Sequence, residues 1–197
     1  MDFEFSDEQE QLRDAVRRWV DKGFGFERRH ALAKAGGKTR EVLGELNELG
    51  LAGLVVPDTH GGMGFGAIEA MVVMEELGRG LVNAPYAQAA LVAPALLSHA
   101  PAELQQAWLP KIAGGEALVV LAQQERASRY NLDKVAVKAV EAGGACKLSG
   151  TKVVVPAGDE ADAFIVSARV SGSDSDPAGV ALFVVDKGAA GSSLRGY

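Results

Sequence analysis

The chain has 197 residues, of which 48% are hydrophobic and 23% charged, with a formal net charge of −6. This size and balance suit one large folded domain or two small ones, with a core that needs no disulfide, and exclude a disordered chain. No Lys/Arg run is long enough to track a nucleic-acid backbone, Cys146 is the single cysteine, and no apolar stretch reaches the about 20 residues of a membrane span.

The start, Met1-Asp2-Phe3-Glu4-Phe5, is acidic and lacks the basic-then-apolar order of a signal peptide, so a reduced, cytoplasmic compartment is expected. Ser6 with Gln9 is a capping-box pattern, which predicts a helix start. Behind it Leu12, Ala15, Val16, Trp19 and Val20 share one helical face, and Gly23 and Gly25 end it. A shorter helix is expected over 26–35, before Gly36-Gly37. Thr39 suits the N-cap of the next, with a stripe of Val42, Leu43, Leu46 and Leu49 and a stop at Gly50. Leu54-Val55-Val56-Pro57 reads as extended. Four glycines in the six residues from Gly61 to Gly66 predict a tight loop with positive φ angles. Helices are expected over 67–77 and 86–98. Pro101 opens another, carrying Leu104, Trp108 and Leu109, which Pro110 kinks or divides.

After Gly114-Gly115 the apolar spacing changes toward two. Strands are expected at 118–122, around Val135, Val137 and Ala139, at 147–149, at Val153–Val155, at 164–170 and at 180–185. No helix-length segment separates them, which argues against βαβ units and for an antiparallel barrel or sandwich. The expected fold class is therefore α+β, with an all-α domain over 1–115 and an antiparallel β-barrel domain over 116–197. The turn-like 188–196 runs to Tyr197 without a closing element and reads as an interruption.

Composition alone points to little chemistry. His30, His60 and His99 are far apart and no pair has metal-ligand spacing, so no metal site is expected. There is no nucleophile elbow, P-loop or dinucleotide fingerprint, and the glycine-rich loop reads equally as a structural turn or a ligand-approach site. The polar run Gln123-Gln124-Glu125-Arg126-Ala127-Ser128-Arg129-Tyr130-Asn131 is more informative, because arginine forks suit phosphate oxygens and amides and hydroxyls orient a heterocycle. On composition, a solvated surface loop is the simpler reading of that run.

Several short motifs occur in a telling order. They are Phe5-Ser6-Asp7-Glu8-Gln9 with Leu12 and Val16-Arg17, then Leu46 to Gly53 with Val56-Pro57 and Gly61 to Gly64, then Glu75-Glu76-Leu77-Gly78. Trp108 to Glu116 follows, then Leu148-Ser149-Gly150-Thr151-Lys152, Ala161-Asp162 and Val166-Ser167-Ala168-Arg169. Together they resemble the acyl-CoA dehydrogenase family along nearly the whole chain. Two segments depart from that pattern. Gln124-Glu125-Arg126 stands where the flavin loop of the family reads Thr-Glu-Pro, with Tyr130-Asn131 for Ser-Asp, and Val154-Val155-Pro156 replaces Trp/Phe-Ile-Thr/Ser. With the Arg195-Gly196-Tyr197 ending, these departures resemble the small subunit of pimeloyl-CoA dehydrogenase-like enzymes.

The resemblance implies a helical domain, a middle β-barrel and a C-terminal helical domain absent here. It implies FAD as cofactor and α,β-desaturation of an acyl-CoA by a glutamate base, which nothing in this chain matches. No catalytic residue is therefore assigned, and the fragment is expected to be inactive alone. Carried over by position, Leu121, Gln123 and Gln124 would line the first flavin strand, Tyr130 would sit near the pyrophosphate or thioester, and Val154, Val155 and Pro156 would lie beside the ring. Arg126 and Arg129 would face substrate phosphates, with surface salt bridges as the rival role. Expected partners are an acyl-CoA, a homo- or hetero-oligomer with a large acyl-CoA dehydrogenase-type subunit, and an electron-transferring flavoprotein. The alternatives are a non-catalytic scaffold subunit and an oxidase- or monooxygenase-like member of the same fold.

Overall fold

The computed structural model describes residues 4–37 and 39–196. Met1 to Phe3 of the acidic start, and Tyr197 of the Arg-Gly-Tyr ending, lie outside the described residues. The chain divides into two compact units, Met1–Ala117 and Leu118–Tyr197.

The first unit is helical. Helix α1, Asp7–Gly23, begins at the expected capping box: Gln9 N donates to Ser6 Oγ at 3.3 Å and Ser6 N to Gln9 Oε1 at 3.0 Å. These bonds satisfy two amides that a helix start otherwise leaves free. Helices α2, Phe26–Lys34, and α3, Arg40–Glu48, follow, with Thr39 at the N-cap position of α3. Then come α4, Ala67–Arg79, α5, Ala93–Leu97, and α6, Ala102–Ala113. The core collects Val16 and Val20 of α1, Leu46 of α3, Leu51, Leu54, Val73 and Leu77 of α4, Tyr86 and Ala90. The buried Tyr86 hydroxyl donates to the Leu51 carbonyl at 2.9 Å, and burial raises its pKa. Helices α1 and α4 also share the buried Glu76 carboxylate, which accepts from Arg17 at 2.6 Å and Arg79 at 2.7 Å. The Arg17 guanidinium, with support from Arg79, outweighs burial and holds that carboxyl below the usual range.

Three expectations are corrected here. Leu54 to Pro57 is not extended: Leu51–Gly53 is a 3₁₀ turn, and Leu54 N and Val56 N bond back three residues, to Leu51 O and Gly53 O. The glycine-rich loop folds onto this turn, because Met63 N, Gly64 N and Phe65 N donate to the carbonyls of Gly53, Val56 and Leu54 at 2.8–2.9 Å. A side chain at Gly62 would overlap the Val56 backbone. With three amides consumed by the fold, the loop is a structural turn. Second, 86–98 is not one regular α-helix, since a π-helical turn, Ala87–Val92, leads into α5. Pro94 has no N–H to give to the turn before it, which removes one α-type bond there. Third, Pro110 does not divide α6; it sits exposed, so water can serve the carbonyl it leaves unpaired.

The second unit carries β1, Val119–Ala122, β2, Lys138–Ala142, β3, Ala145–Ser149, β4, Ala163–Arg169, and β5, Val180–Asp186. Strand β4 takes β5 antiparallel along its whole length and β1 parallel from Val119↔Ala163 to Ala122↔Val166. The antiparallel hairpin β2–β3 joins the end of β4 through a parallel pair, Lys138↔Arg169. The expected antiparallel barrel is thus corrected to a mixed five-stranded sheet, open among the described residues. A parallel crossover requires about a dozen residues but no helix, and residues 123–162, hairpin included, supply that length. The pattern of β4 held the clue: Ala163-Phe164-Ile165-Val166 is continuously apolar and β4 is buried on both faces, as suits a central strand with a parallel neighbour on one edge. Val153–Val155 is also corrected, because it forms no strand and Val154 turns the chain at a φ of 51°.

Arg169, at the end of β4, is 4% exposed and has no carboxylate partner among the described residues. Its guanidinium donates to the carbonyls of Asp133, Val135, Asp174, Asp176 and Ala178 at 2.6–3.4 Å. Five fixed donors meeting five carbonyls tie two loops to the sheet, a geometry that a lysine ammonium does not reproduce. Arg169→Lys is therefore expected to lower stability by roughly 1–3 kcal/mol, by leaving partly buried carbonyls unpaired, as read from the midpoint of urea unfolding.

Candidate functional site

The site is built where β1 runs out. Leu121 is half-buried in the ladder opposite Ile165, Ala122 is buried, and Gln123 and Gln124 emerge exposed. The backbone then turns inward at Glu125. Glu125 N donates to Ser128 Oγ at 3.0 Å, and the Ser128 hydroxyl donates back to Glu125 O at 2.9 Å. This closes a tight turn whose outer residues, Arg126, Arg129 and Tyr130, project from the surface, Tyr130 at 98% exposure. Arg129 sits at a φ of 48° within it.

The Glu125 carboxylate points the other way. It accepts from Ala136 N at 2.9 Å, Val137 N at 3.2 Å and Lys152 Nζ at 2.7 Å. Lys152 Nζ also donates to Gln123 O at 3.2 Å and Ser167 Oγ at 2.9 Å. Burial opposes the charge on Glu125, yet the Lys152 ammonium and the two amides together hold its carboxyl below the usual range. Lys152 reaches this position because Gly150, at a φ of 146°, passes against Val137, where an added side chain would meet its Cα at 2.9 Å. One residue on, Val153 N donates to Gln124 O at 2.8 Å. That bond sets the 121–131 segment directly beside the one containing Val154.

The sequence-derived candidates therefore fall in two adjoining segments. Gln123, Gln124, Val154 and Pro156 are exposed there and Leu121 and Val155 half-buried. Arg126 and Arg129 have no ion-pair partner among the described residues, so the rival salt-bridge role has no partner there. Lys152 and Ser167 were not singled out as site residues. Lys152 shows only as part of a Leu-x-Gly-x-Lys motif, and nothing in its spacing points to Glu125, 27 positions away.

A flavin ring, implied by the resemblance, asks for an apolar wall beside polar edge groups. The donor set fits: the exposed apolar Val154 and Pro156 adjoin the side-chain amides of Gln123 and Gln124. The carbonyls of Gln123 and Gln124 are engaged by Lys152 and Val153, while their exposed side-chain amides can serve a ring edge.

Comparisons with known proteins agree along the chain. The family model described as the acyl-CoA dehydrogenase N-terminal domain matches residues 6–116. A mitochondrial isovaleryl-CoA dehydrogenase of Pongo abelii is 31% identical over 194 residues, 95% of this chain and 46% of that protein. The acyl-CoA dehydrogenase FadE12 of Mycobacterium tuberculosis is 30% identical over 194 residues, 95% of this chain and 49% of that protein. Among solved structures, the ChsE4-ChsE5 complex from Mycobacterium tuberculosis superposes with a TM-score of 0.83 at 29% identity, covering 95% of this chain and 49% of that one. The chain thus spans about half the length of the curated relatives it matches.

The buried pair yields a prediction. Glu125→Gln leaves the Lys152 ammonium buried without its counter-charge and is expected to cost about 3 kcal/mol. A carboxyl with a depressed folded pKa adds stability that is complete above its unfolded value and is lost as pH falls through the lower folded one. Stability measured by urea unfolding through the acid range should therefore fall less steeply in Glu125→Gln than in the wild type.

Proposed function

Because this chain belongs to the acyl-CoA dehydrogenase family, we propose that it supplies a flavin-binding wall for the α,β-desaturation of an acyl-CoA thioester. The observation that carries this reading is the Val153 N–H bond to Gln124 O, which joins the two segments matched to the flavin contacts of the family. In this reading Val154, Val155 and Pro156 form the apolar wall, and the Gln123 and Gln124 side chains address the polar edge of the ring. Leu121 anchors the wall through β1. Tyr130, Arg126 and Arg129 face the phosphate-bearing part of cofactor or substrate, where unpaired guanidinium forks suit phosphate oxygens. Bound FAD supplies the two-electron acceptor that no side chain provides. The chain's own contribution is to orient that group and to close one face of it to water.

No residue of this chain is assigned as the base, so the reading has the chain working within a homo- or hetero-oligomer of acyl-CoA dehydrogenase-type subunits. It passes electrons on to an electron-transferring flavoprotein. The helical 1–115 and the sheet-bearing 116–197 are read as the first two domains of that family's architecture. The single cysteine fits a reducing, cytoplasmic setting. A second reading, a scaffold subunit without its own flavin, is favoured by Pro156, which offers no N–H, and by the occupied carbonyls of Gln123 and Gln124.

Titration of the purified chain with FAD, followed by quenching of flavin fluorescence, tests the reading. Saturable uptake is expected, with no acyl-CoA oxidation by the chain alone. Replacing Arg126 and Arg129 together by Ala is expected to weaken FAD binding about tenfold and to flatten its salt dependence. A chain that takes up no flavin, alone or co-expressed with a second acyl-CoA dehydrogenase subunit, leaves only the scaffold reading.

A further inference from the structure

Lys152 and Val153 are consecutive, and they hold consecutive carbonyls. Val153 N donates to Gln124 O at 2.8 Å, and Lys152 Nζ donates to Gln123 O at 3.2 Å. Both acceptors lie just past Ala122, so these two bonds take over where the β1 ladder stops. They differ in kind. The Val153 amide keeps its proton, whereas the lysine uses all three N–H groups of an ammonium, on Glu125 Oε1 at 2.7 Å, Ser167 Oγ at 2.9 Å and Gln123 O. A neutral amine has two N–H groups, and its bonds lose the charge that strengthens them. The bond to Gln123 is the longest of the three and the one open to water, so it is the first to fail.

The Lys152 side chain is 8% exposed, and burial lowers its pKa although Glu125 opposes the shift. Among the described residues, Glu125 is the charged group that faces it. Strand β4 presents the Ser167 hydroxyl, and Arg169, further along that strand, is turned to loop carbonyls. The stretch before β2 presents the Ala136 and Val137 amides, both on the Glu125 carboxylate.

We infer that Lys152 is a positioning residue for the ligand of the candidate site: its charged side chain and the Val153 amide together clamp the Gln123–Gln124 backbone, so that ligand affinity follows the protonation of a lysine shut away from solvent. The inference rests on the flavin reading above and adds to it a pH-dependent latch behind the wall.

FAD affinity, from flavin fluorescence quenching, and stability, from urea unfolding, are measured on the full chain from neutral pH to just below the ordinary lysine value of about 10.4. The wild type is compared with Lys152→Arg, which keeps its charge over that range. It is also compared with Glu125→Gln/Lys152→Met, which removes both charges and reports the ionisation of the flavin itself. Relative to that double variant, the wild type is expected to lose about tenfold in affinity towards the alkaline end. Its stability should move the other way. A lysine with a depressed folded pKa costs stability while charged, and that cost is relieved as pH rises through the folded value towards the unfolded one. Opposite slopes separate positioning from support, because a lysine that merely held the fold together would make affinity follow stability. Lys152→Arg should show no alkaline loss beyond that of the double variant. If one variant fails to fold, the other serves as reference. A wild-type affinity that runs parallel to the reference without lysine, or that rises with stability, overturns the inference and leaves the flavin reading standing. So does an alkaline loss as large in Lys152→Arg as in the wild type. A wild-type chain that takes up no flavin at any pH defeats the flavin reading and the inference with it.

Discussion

The Glu125–Lys152 pair holds four separated stretches of the second unit in one place. Its side chains are 9% and 8% exposed, so each charge gives up most of its hydration, a cost of several kcal/mol per ion in a protein interior. Coulomb attraction alone seldom repays that. Here the remaining hydrogen-bonding capacity is also met, with the Ala136 and Val137 amides on the carboxylate and the Gln123 carbonyl and Ser167 hydroxyl on the ammonium. Such a pair specifies geometry more than it adds stability, because any register shift strands a buried charge. The register it selects is the one that sets Gln123 and Gln124 beside Val153 and Val154.

Strand β4 carries both polar anchors of the sheet. Ser167 and Arg169 are two apart and so project to the same face; one completes the shell of Lys152, the other gathers five loop carbonyls. The helical unit uses a different arrangement. Glu76 is buried between two arginines that remain 46% and 43% exposed, so only one charge of the cluster is fully desolvated. The first arrangement positions loops that bear candidate ligand groups, and the second fastens α1 to α4.

The candidate site sets rigid support against an exposed, strained rim. The groups that hold it, from the β1–β4 ladder to the Ser128 turn, are paired and for the most part buried, while Gln123, Gln124, Arg126, Tyr130 and Val154 stand in solvent. Exposed apolar and cationic groups on a fixed backbone are what recognition of a planar, phosphate-bearing ligand requires. The same surface would serve a subunit contact, and the choice between the two turns on whether the ring is bound.

From residues alone, the helical elements of the first unit were legible, down to the Ser6–Gln9 capping box, because caps and periodic faces are local and leave their mark within one turn. The family was legible for a related reason, since short motifs kept in order survive where overall identity is low. Three things were decided only in three dimensions. Parallel pairing of β1 with β4 joins residues 44 positions apart, Val119 with Ala163, and alternation within a strand does not say which neighbour it takes or in which direction. The valines at 153–155 have strand composition, but the bond to Gln124 and the turn before Pro156 outweigh that preference. The pairing of Glu125 with Lys152 has no counterpart in spacing, because a buried charge is placed by the backbone that surrounds it, and that backbone exists only once the sheet has formed.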